Sequence, residues 1–520
     1  MASNRNLSDD DRVGDDIVDD VTLSEGEMSD EEEFLPYSDD DTDSVSSSGS
    51  EDSDTDGIPL AVLAERMRAG PSTSVAENVV QGTVIRTTTY TGKDGTEWSS
   101  TPSAQSAQTL QRNIFTAPRN NIPGTDSANT PGELFSLYMS DDIIKLIVKY
   151  TNAEGRRQRG DTWVATDDVE IRAFIGILIF LGAQKQSDVN LVTVWEPLIG
   201  QDFVRATMSK NRCFQLLNTL RFDDKDTRRA RQAREKLAPI SELFEIHSAN
   251  LEKYFVPGPF LTVDEQLVPF RGRCSFIQYI PSKPAKYGLK LFWVCDAQSY
   301  YPLKCIVYTG KMSRIPVVLG ENQGHRVVLE LVQPYQNKGR NITMDNFFTD
   351  NRLALSLLQR RTTVIGTVRR NKRFLPAEFK KKKHLKLNES LFAFSEKTAM
   401  VSYQSKKAKN VIVLSSMHTR SMDIPEDAGE KKKPQVVLDY NATKGGVDTM
   451  DQMCLNYTTK RQTKRWPMVL FFNILDTSGI AAHVLFTQKH PDDQMSTTHG
   501  RSQFLRAVAK DMMRFQMLRR

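Results

Sequence analysis

The chain has 520 residues, 39% hydrophobic and 26% charged, enough for a sizeable core with attached modules. Its net charge of +4 hides an asymmetry: residues 1–56 hold roughly 21 Asp/Glu against 2 Lys/Arg, so the remainder carries an excess of about 23 positive charges. Five scattered cysteines (Cys213, Cys274, Cys295, Cys305 and Cys454) form no CxxC or CxxH cluster, which excludes a disulfide framework and leaves zinc unexpected.

The acidic, polar start has no signal-like apolar run. Phe174–Ala183 is too short for a bilayer, which takes about 20 residues, and Val469–Phe486 is interrupted by Asn473, Asp476 and His483. No membrane role is expected.

Residues 1–130 read as a disordered acidic tail and linker, because so few apolar residues cannot offset ordering entropy. One short helix is expected within 57–69. Ser47–Asp56 also reads as a substrate for an acid-directed kinase, or as a plain solubilising tail. Residues 131–259 have helical apolar spacing. One stripe runs through Leu134, Leu137, Ile143, Ile144, Leu146 and Ile147. A second helix begins at Asp167–Asp168, a third spans Phe214–Leu220, and a fourth Ile240–Tyr254.

The period changes at residue 260. Phe260–Phe270, Lys290–Cys295 and Leu303–Tyr308 read as strands. A helix over Arg326–Gln333, a strand over Arg340–Met344, a helix over Leu353–Leu358 and a strand over Thr363–Val368 follow. Residues 370–433 read as an insertion with β-like pieces at Leu391–Phe394 and Val411–Leu414. Over 434–456 come a strand at Val436–Tyr440 and then a helix; residues 457–520 are helical again.

Four acids carry the chemistry. Asp264 sits mid-strand, where aspartate is disfavoured; a metal ion, or a salt bridge to Arg271 or Arg273, would hold it. Asp345 ends a strand, as a site residue or a helix N-cap. Asp448 and Asp451 share one helix face, either around a cation or as dipole-favoured acids. Gly445-Gly446 would allow a sharp turn into that helix. Together this is the layout of an α/β RNase H-like core. Such carboxylates bridge two Mg²⁺ or Mn²⁺ ions for phosphoryl transfer.

The stretches Leu261–Arg273 (LTVDEQLVPFRGR), Tyr279–Lys290 (YIPSKPAKYGLK), Ile342–Phe348 (ITMDNFF), Val364–Lys372 (VIGTVRRNK), Tyr440–Met453 (YNATKGGVDTMDQM) and Arg461–Met468 (RQTKRWPM) make the chain resemble the piggyBac family of DNA transposases, over roughly residues 130–510. The resemblance implies a metal site on Asp264, Asp345 and Asp448, with Asp451 also needed for activity. It implies a helical DNA-binding and dimerisation region split between about 130–260 and 455–520, and target-DNA handling at Arg369 and Lys372. It further implies a homodimer, hairpin intermediates and a TTAA target. Most family members end in a cysteine-rich zinc domain, and here no Cys/His cluster follows Cys454.

Beside Arg369 and Lys372, the DNA-contact candidates are Lys283, Lys286, Tyr287, Lys290, Asn346, Lys460, Arg461, Lys464, Arg465 and Trp466. The cations would neutralise phosphates, and Tyr287 and Trp466 would stack on unpaired bases. Lys380–Lys383 and Lys431–Lys433 read as nuclear-import signals. Two rival readings are a domesticated chromatin protein without transposition activity and a metal-dependent nuclease without strand transfer.

Overall fold

The computed structural model describes residues 60–61, 87–102, 115, 124–310 and 323–520, apart from 382–384, 408, 420–421, 427 and 498. The acidic tail, the helix expected within 57–69 (save Leu60 and Ala61) and Lys382–Lys383 lie outside these residues.

The chain first forms a hairpin of β1 (Thr89–Thr91) and β2 (Glu97–Ser99). A helical block follows: α1 (Pro131–Tyr138), α2 (Asp141–Arg159), α3 (Asp168–Ala183), α4 (Asp202–Thr207), α5 (Lys210–Thr219), α6 (Lys225–Gln232) and α7 (Ser241–Lys253). Local signals start these helices. Thr130 and Glu133 form a capping box with Pro131 at the first turn, and Asp167 accepts from the Glu170 N–H to cap α3.

The sheet then begins with β3 (Phe260–Pro269), β4 (Gln278–Tyr279), β5 (Tyr287–Asp296) and β6 (Pro302–Val307). It continues through α8 (Gln323–Val332), β7 (Asn341–Met344), α9 (Asn351–Gln359), β8 (Thr363–Thr367), α10 (Ala377–Lys380), β9 (Ser390–Phe394), β10 (Ala399–Lys406) and β11 (Lys409–Ser415). Helices close the chain: α11 (Gln435–Thr443), α12 (Gly446–Asn456), α13 (Trp466–Lys489) and α14 (Arg501–Arg519).

Among the described residues, all eleven strands join one mixed sheet in the order β1-β2-β9-β10-β11-β8-β7-β3-β5-β4, with β6 on β5. Strand β3 pairs antiparallel with β5 and parallel with β7, and β7 pairs parallel with β8. The central strands are buried over most of their length, as parallel strands covered by helices must be.

Helix α13 is long and apolar enough to cross a membrane, yet 89% of its apolar window is buried inside the protein. Its three polar interruptions are anchors. Asn473 reaches the sheet at Gln266, Asp476 accepts from Thr458 and Thr459, and His483 bonds the Met495 carbonyl. Helix α14 packs on α3 where Gly176 leaves no room for a side chain: a Cβ there would stand 2.8 Å from Met513.

Three expectations need correction. Residues expected to be linker form the β1–β2 hairpin, which pairs with β9; Trp98 is 1% exposed and its indole N–H bonds the Phe374 carbonyl. Val436–Tyr440 is helix, because Pro434 precedes it and side chains bond at helical spacing: Gln435 Nε2 donates to Asp439 Oδ1 at 2.6 Å and Thr443 Oγ1 to the Asp439 carbonyl at 2.7 Å. The β-pieces expected within 370–433 gain an unforeseen partner, β10, and extend the central sheet through β8–β11 pairing.

Candidate active site

The pairing of β3 with β7 sets the site. Val263 lies opposite Met344, so Asp264, within β3, and Asp345, just past the end of β7, stand at the same level on adjacent parallel strands. Strand alternation turns Thr262, Asp264 and Gln266 to one face. The α11–α12 segment covers that face. Thr262 Oγ1 donates to the Thr443 carbonyl at 2.6 Å, and Thr343 and Thr443 hydroxyls meet at 2.7 Å. Further along, Gln266 Nε2 donates to Asp451 Oδ1 at 2.8 Å. Asp448 lies between these two attachment points in the chain, near enough for its charge to act on Asp264. Gly446 matters for approach and not for a turn: a Cβ there would stand 2.4 Å from Thr262 Oγ1, and Gly445 has an ordinary φ of −82°.

The four carboxylates repel one another. Burial, then the charges of Asp345 and Asp448, hold Asp264 well above the usual carboxylate range. Burial, then Glu265, push Asp345 up to about 6, against the Phe347 N–H and the Arg369 charge. Asp451 is raised by burial, against the Gln266 bond and the Lys283 charge. Asp448 is exposed at the mouth. No salt bridge to Asp264, Asp345 or Asp448 forms among the described residues, so the Arg271 and Arg273 alternative does not hold Asp264. The N-cap reading of Asp345 also falls: Asp350 caps α9, while Asp345 Oδ1 accepts from the Phe347 N–H at 3.0 Å.

Three residues at this edge had no forecast role. Glu265 pairs with Lys290 at 2.5 Å, and Lys290 also lies 4.9 Å from the Phe292 and Phe347 ring centroids. Tyr440 is half-buried near the acids, and burial of its hydroxyl, ahead of their charges, raises its pKa. Gln266 offered no signal beyond its strand position.

The basic candidates divide. Lys286, Lys464 and Arg369 are exposed; Lys283, Lys460 and Asn346 are half-buried, and Asn346 accepts from Arg369 Nε at 3.0 Å. Tyr287 is 39% exposed against Tyr279, centroids 4.8 Å apart. Four others are tied into the fold. Arg461 is buried with Nη1 on the Gln186 and Ser187 carbonyls, and burial lowers it to about 10. Arg465 caps α5 through the carbonyls of Leu217, Asn218 and Leu220, and burial, then Arg221 and Arg228, lower it to about 9. Lys372 pairs with the cap residue Asp350 at 3.0 Å. Trp466 packs edge-on against Phe276 at 5.1 Å, which removes part of its ring from stacking.

A transposase family model, described as transposase IS4, matches residues 130–483. A solved piggyBac transposase, described as a synaptic complex with hairpin DNA, is 34% identical with a TM-score of 0.72, over 78% of this chain and 84% of that one. The chain belongs to the piggyBac family of transposases. Two curated Homo sapiens relatives, piggyBac transposable element-derived protein 3 and the chimeric ERCC6-PGBD3 protein, are each 23% identical over 70% of this chain. The chain spans 63% of the first and 35% of the second.

The donor set suits a hard cation: aspartate oxygens favour magnesium or manganese over zinc. It is not drawn into a closed cage, since no group of three or more His, Cys, Asp or Glu among the described residues stands close enough to hold a metal. Unneutralised carboxylates resist such convergence by mutual repulsion, which a cation would remove. The residues therefore fit the ion in kind.

Proposed function

We propose that this piggyBac-family protein is a metal-dependent cut-and-paste DNA transposase with an RNase H-like core, acting through Asp264, Asp345, Asp448 and Asp451. The observation that carries this is the β3–β7 register, which sets Asp264 on its strand beside Asp345 at the end of the next, with Asp448 near enough for its charge to act on Asp264 and no salt bridge to any of the three among the described residues. Asp264, Asp345 and Asp448 would hold two magnesium or manganese ions, which when bound polarise phosphate oxygens and make water a better nucleophile.

The helical segments 131–259 and 457–520 would bind DNA and dimerise, with 260–369 and 434–456 as the catalytic core and 370–433 as the insertion. Exposed Lys286, Arg369 and Lys464, with Lys283 and Lys460, would neutralise backbone phosphates and align the duplex along the acidic edge. Tyr287, which is 39% exposed, would stack on an unpaired base. The DNA chemistry is strand nicking, attack of the freed 3′-hydroxyl on the opposite strand to give a hairpin, reopening, and joining at TTAA. A homodimer would hold both ends, in line with the relative described as a synaptic complex. The Lys431–Lys433 run supports a nuclear setting.

The test is incubation of the whole chain with end-labelled, TTAA-flanked DNA in Mg²⁺. A hairpin product from the unmodified chain, absent with Asp264→Ala, supports the proposal. A folded chain that cleaves no substrate overturns it. The second reading, a domesticated DNA-binding protein without transposition activity, then stands; the curated relative described as transposable element-derived favours it.

A further inference from the structure

Gln266 is the third residue, after Thr262 and Asp264, that β3 turns toward α12, and it is 1% exposed. Its amide is used from both ends. Oε1 accepts from Trp293 Nε1 at 2.9 Å and from Asn473 Nδ2 at 3.3 Å, while Nε2 donates to Asp451 Oδ1 at 2.8 Å. An indole nitrogen can only donate, so the amide oxygen must face Trp293 and the NH₂ group must face Asp451. The indole N–H alone fixes the direction of this amide. Trp293 comes from β5, Asn473 from α13 and Asp451 from α12, so three elements converge on one glutamine.

Asp451 lies one helical turn beyond Asp448 and feels its charge; Lys283 acts on Asp451 with the opposite sign. A donor aimed at Oδ1 holds the carboxylate against rotation and favours its charged form. We propose that Gln266 is a positioning residue that fixes Asp451 beside Asp448 and thereby strengthens the acidic edge's hold on divalent cations. Without the donor, Asp451 is free to turn away, and the edge loses one placed negative charge. The inference rests on the metal-dependent reading above for its role in cleavage, and on the hydrogen-bond network for its geometry.

Gln266→Met keeps length and volume but lacks the donor. The experiment follows the unfolding midpoint of the whole chain, free of DNA, during Mn²⁺ titration. Gln266→Met, Asp451→Asn and the double variant are compared with the unmodified chain. The half-saturating Mn²⁺ concentration should rise roughly tenfold in Gln266→Met, as when a group orienting a metal site is removed. The double variant should be no worse than Asp451→Asn alone, because both changes act through one carboxylate. An unchanged half-saturation in Gln266→Met, or effects that add in the double variant, would overturn the proposal even if Gln266→Met melts lower in chelator. Should Gln266→Met fail to fold, Trp293→Phe, which releases one constraint on the amide, should show a smaller shift in the same direction; none would overturn it. Mn²⁺ binding with this coupling but no DNA cleavage would sink the transposase chemistry and leave Gln266's role standing. Cleavage with an unaltered Mn²⁺ requirement in Gln266→Met would sink Gln266's role alone.

Discussion

Two groups of withdrawn carboxylates in this protein meet opposite fates. In the helical block, Glu154 is 3% exposed and shared by Arg157 at 2.7 Å, Arg221 at 2.7 Å and Lys225 at 3.9 Å. Burial pushes Glu154 up, but the Arg157 bond and the Arg221 charge outweigh it and leave the carboxyl at about 2. Arg221 is itself lowered, by burial first and then by Arg228 and Arg157, since several cations crowd one anion. On the central strands, Asp264 and Asp345 have no salt bridge among the described residues, and both are raised. The same functional group is spent on structure where guanidinium meets it. Where burial and like charges outweigh the cations nearby, its charge is left unmatched, as the proposed metal site requires.

The sharpest way to break this contrast is Asp264→Asn. Metal-dependent strand cleavage should fall on the order of a thousandfold or more in a gel assay. In chelator the same variant should unfold later, by about 1–2 kcal/mol, because a repelling charge is gone. A lower midpoint would mean that Asp264 is structural after all. Glu154→Gln should do the reverse, losing roughly 3 kcal/mol in urea titration, since it leaves three cations around a neutral amide.

The pH dependence should separate the regions next. The depressed Glu154 gives stability that is complete above the unfolded carboxylate value of about 4.3 and lost as pH falls toward 2. The raised Asp345 works the other way: metal-free stability is highest below about 4 and falls as pH rises through about 6. Denaturation at a series of pH values should show both limbs, and Mg²⁺ should flatten only the second. The smallest contrast lies among the basic residues. Lys464→Gln should reduce the salt dependence of DNA binding by about one phosphate contact and leave stability within about 0.5 kcal/mol. Arg465→Gln should cost about 1–2 kcal/mol of stability instead, because three carbonyls lose their donor.

The sequence carried the sheet where alternation was strong. Strands β3, β5, β6, β7 and β8 are rich in β-branched and aromatic residues and fall where their pattern places them. Strand β10 (AMVSYQSK) was illegible because its buried Ser402 and Gln404 look polar until their partners are known. The β1–β2 hairpin hid in a Thr-rich stretch in which only Trp98 signalled a buried anchor. Val436–Leu438 misled because β propensity yields to context, here a helix begun at Pro434.

The four aspartates stood out because carboxylates in a strand, at its end and paired on a helix need an explanation. The placing of Asp264 beside Asp345 depends on the β3–β7 register, which no local pattern states. For Arg461, Arg465 and Trp466, charge and aromaticity show what a side chain can do, and only the fold shows that carbonyls and Phe276 already engage them.

Crystals of the whole chain soaked in Mn²⁺ and measured at the manganese absorption edge would test the acidic edge most directly. An anomalous peak flanked by the Asp264 and Asp345 carboxylates, lost in Asp264→Asn, is the expected result. Manganese bound only elsewhere, or equally well in that variant, would contradict a metal-dependent site.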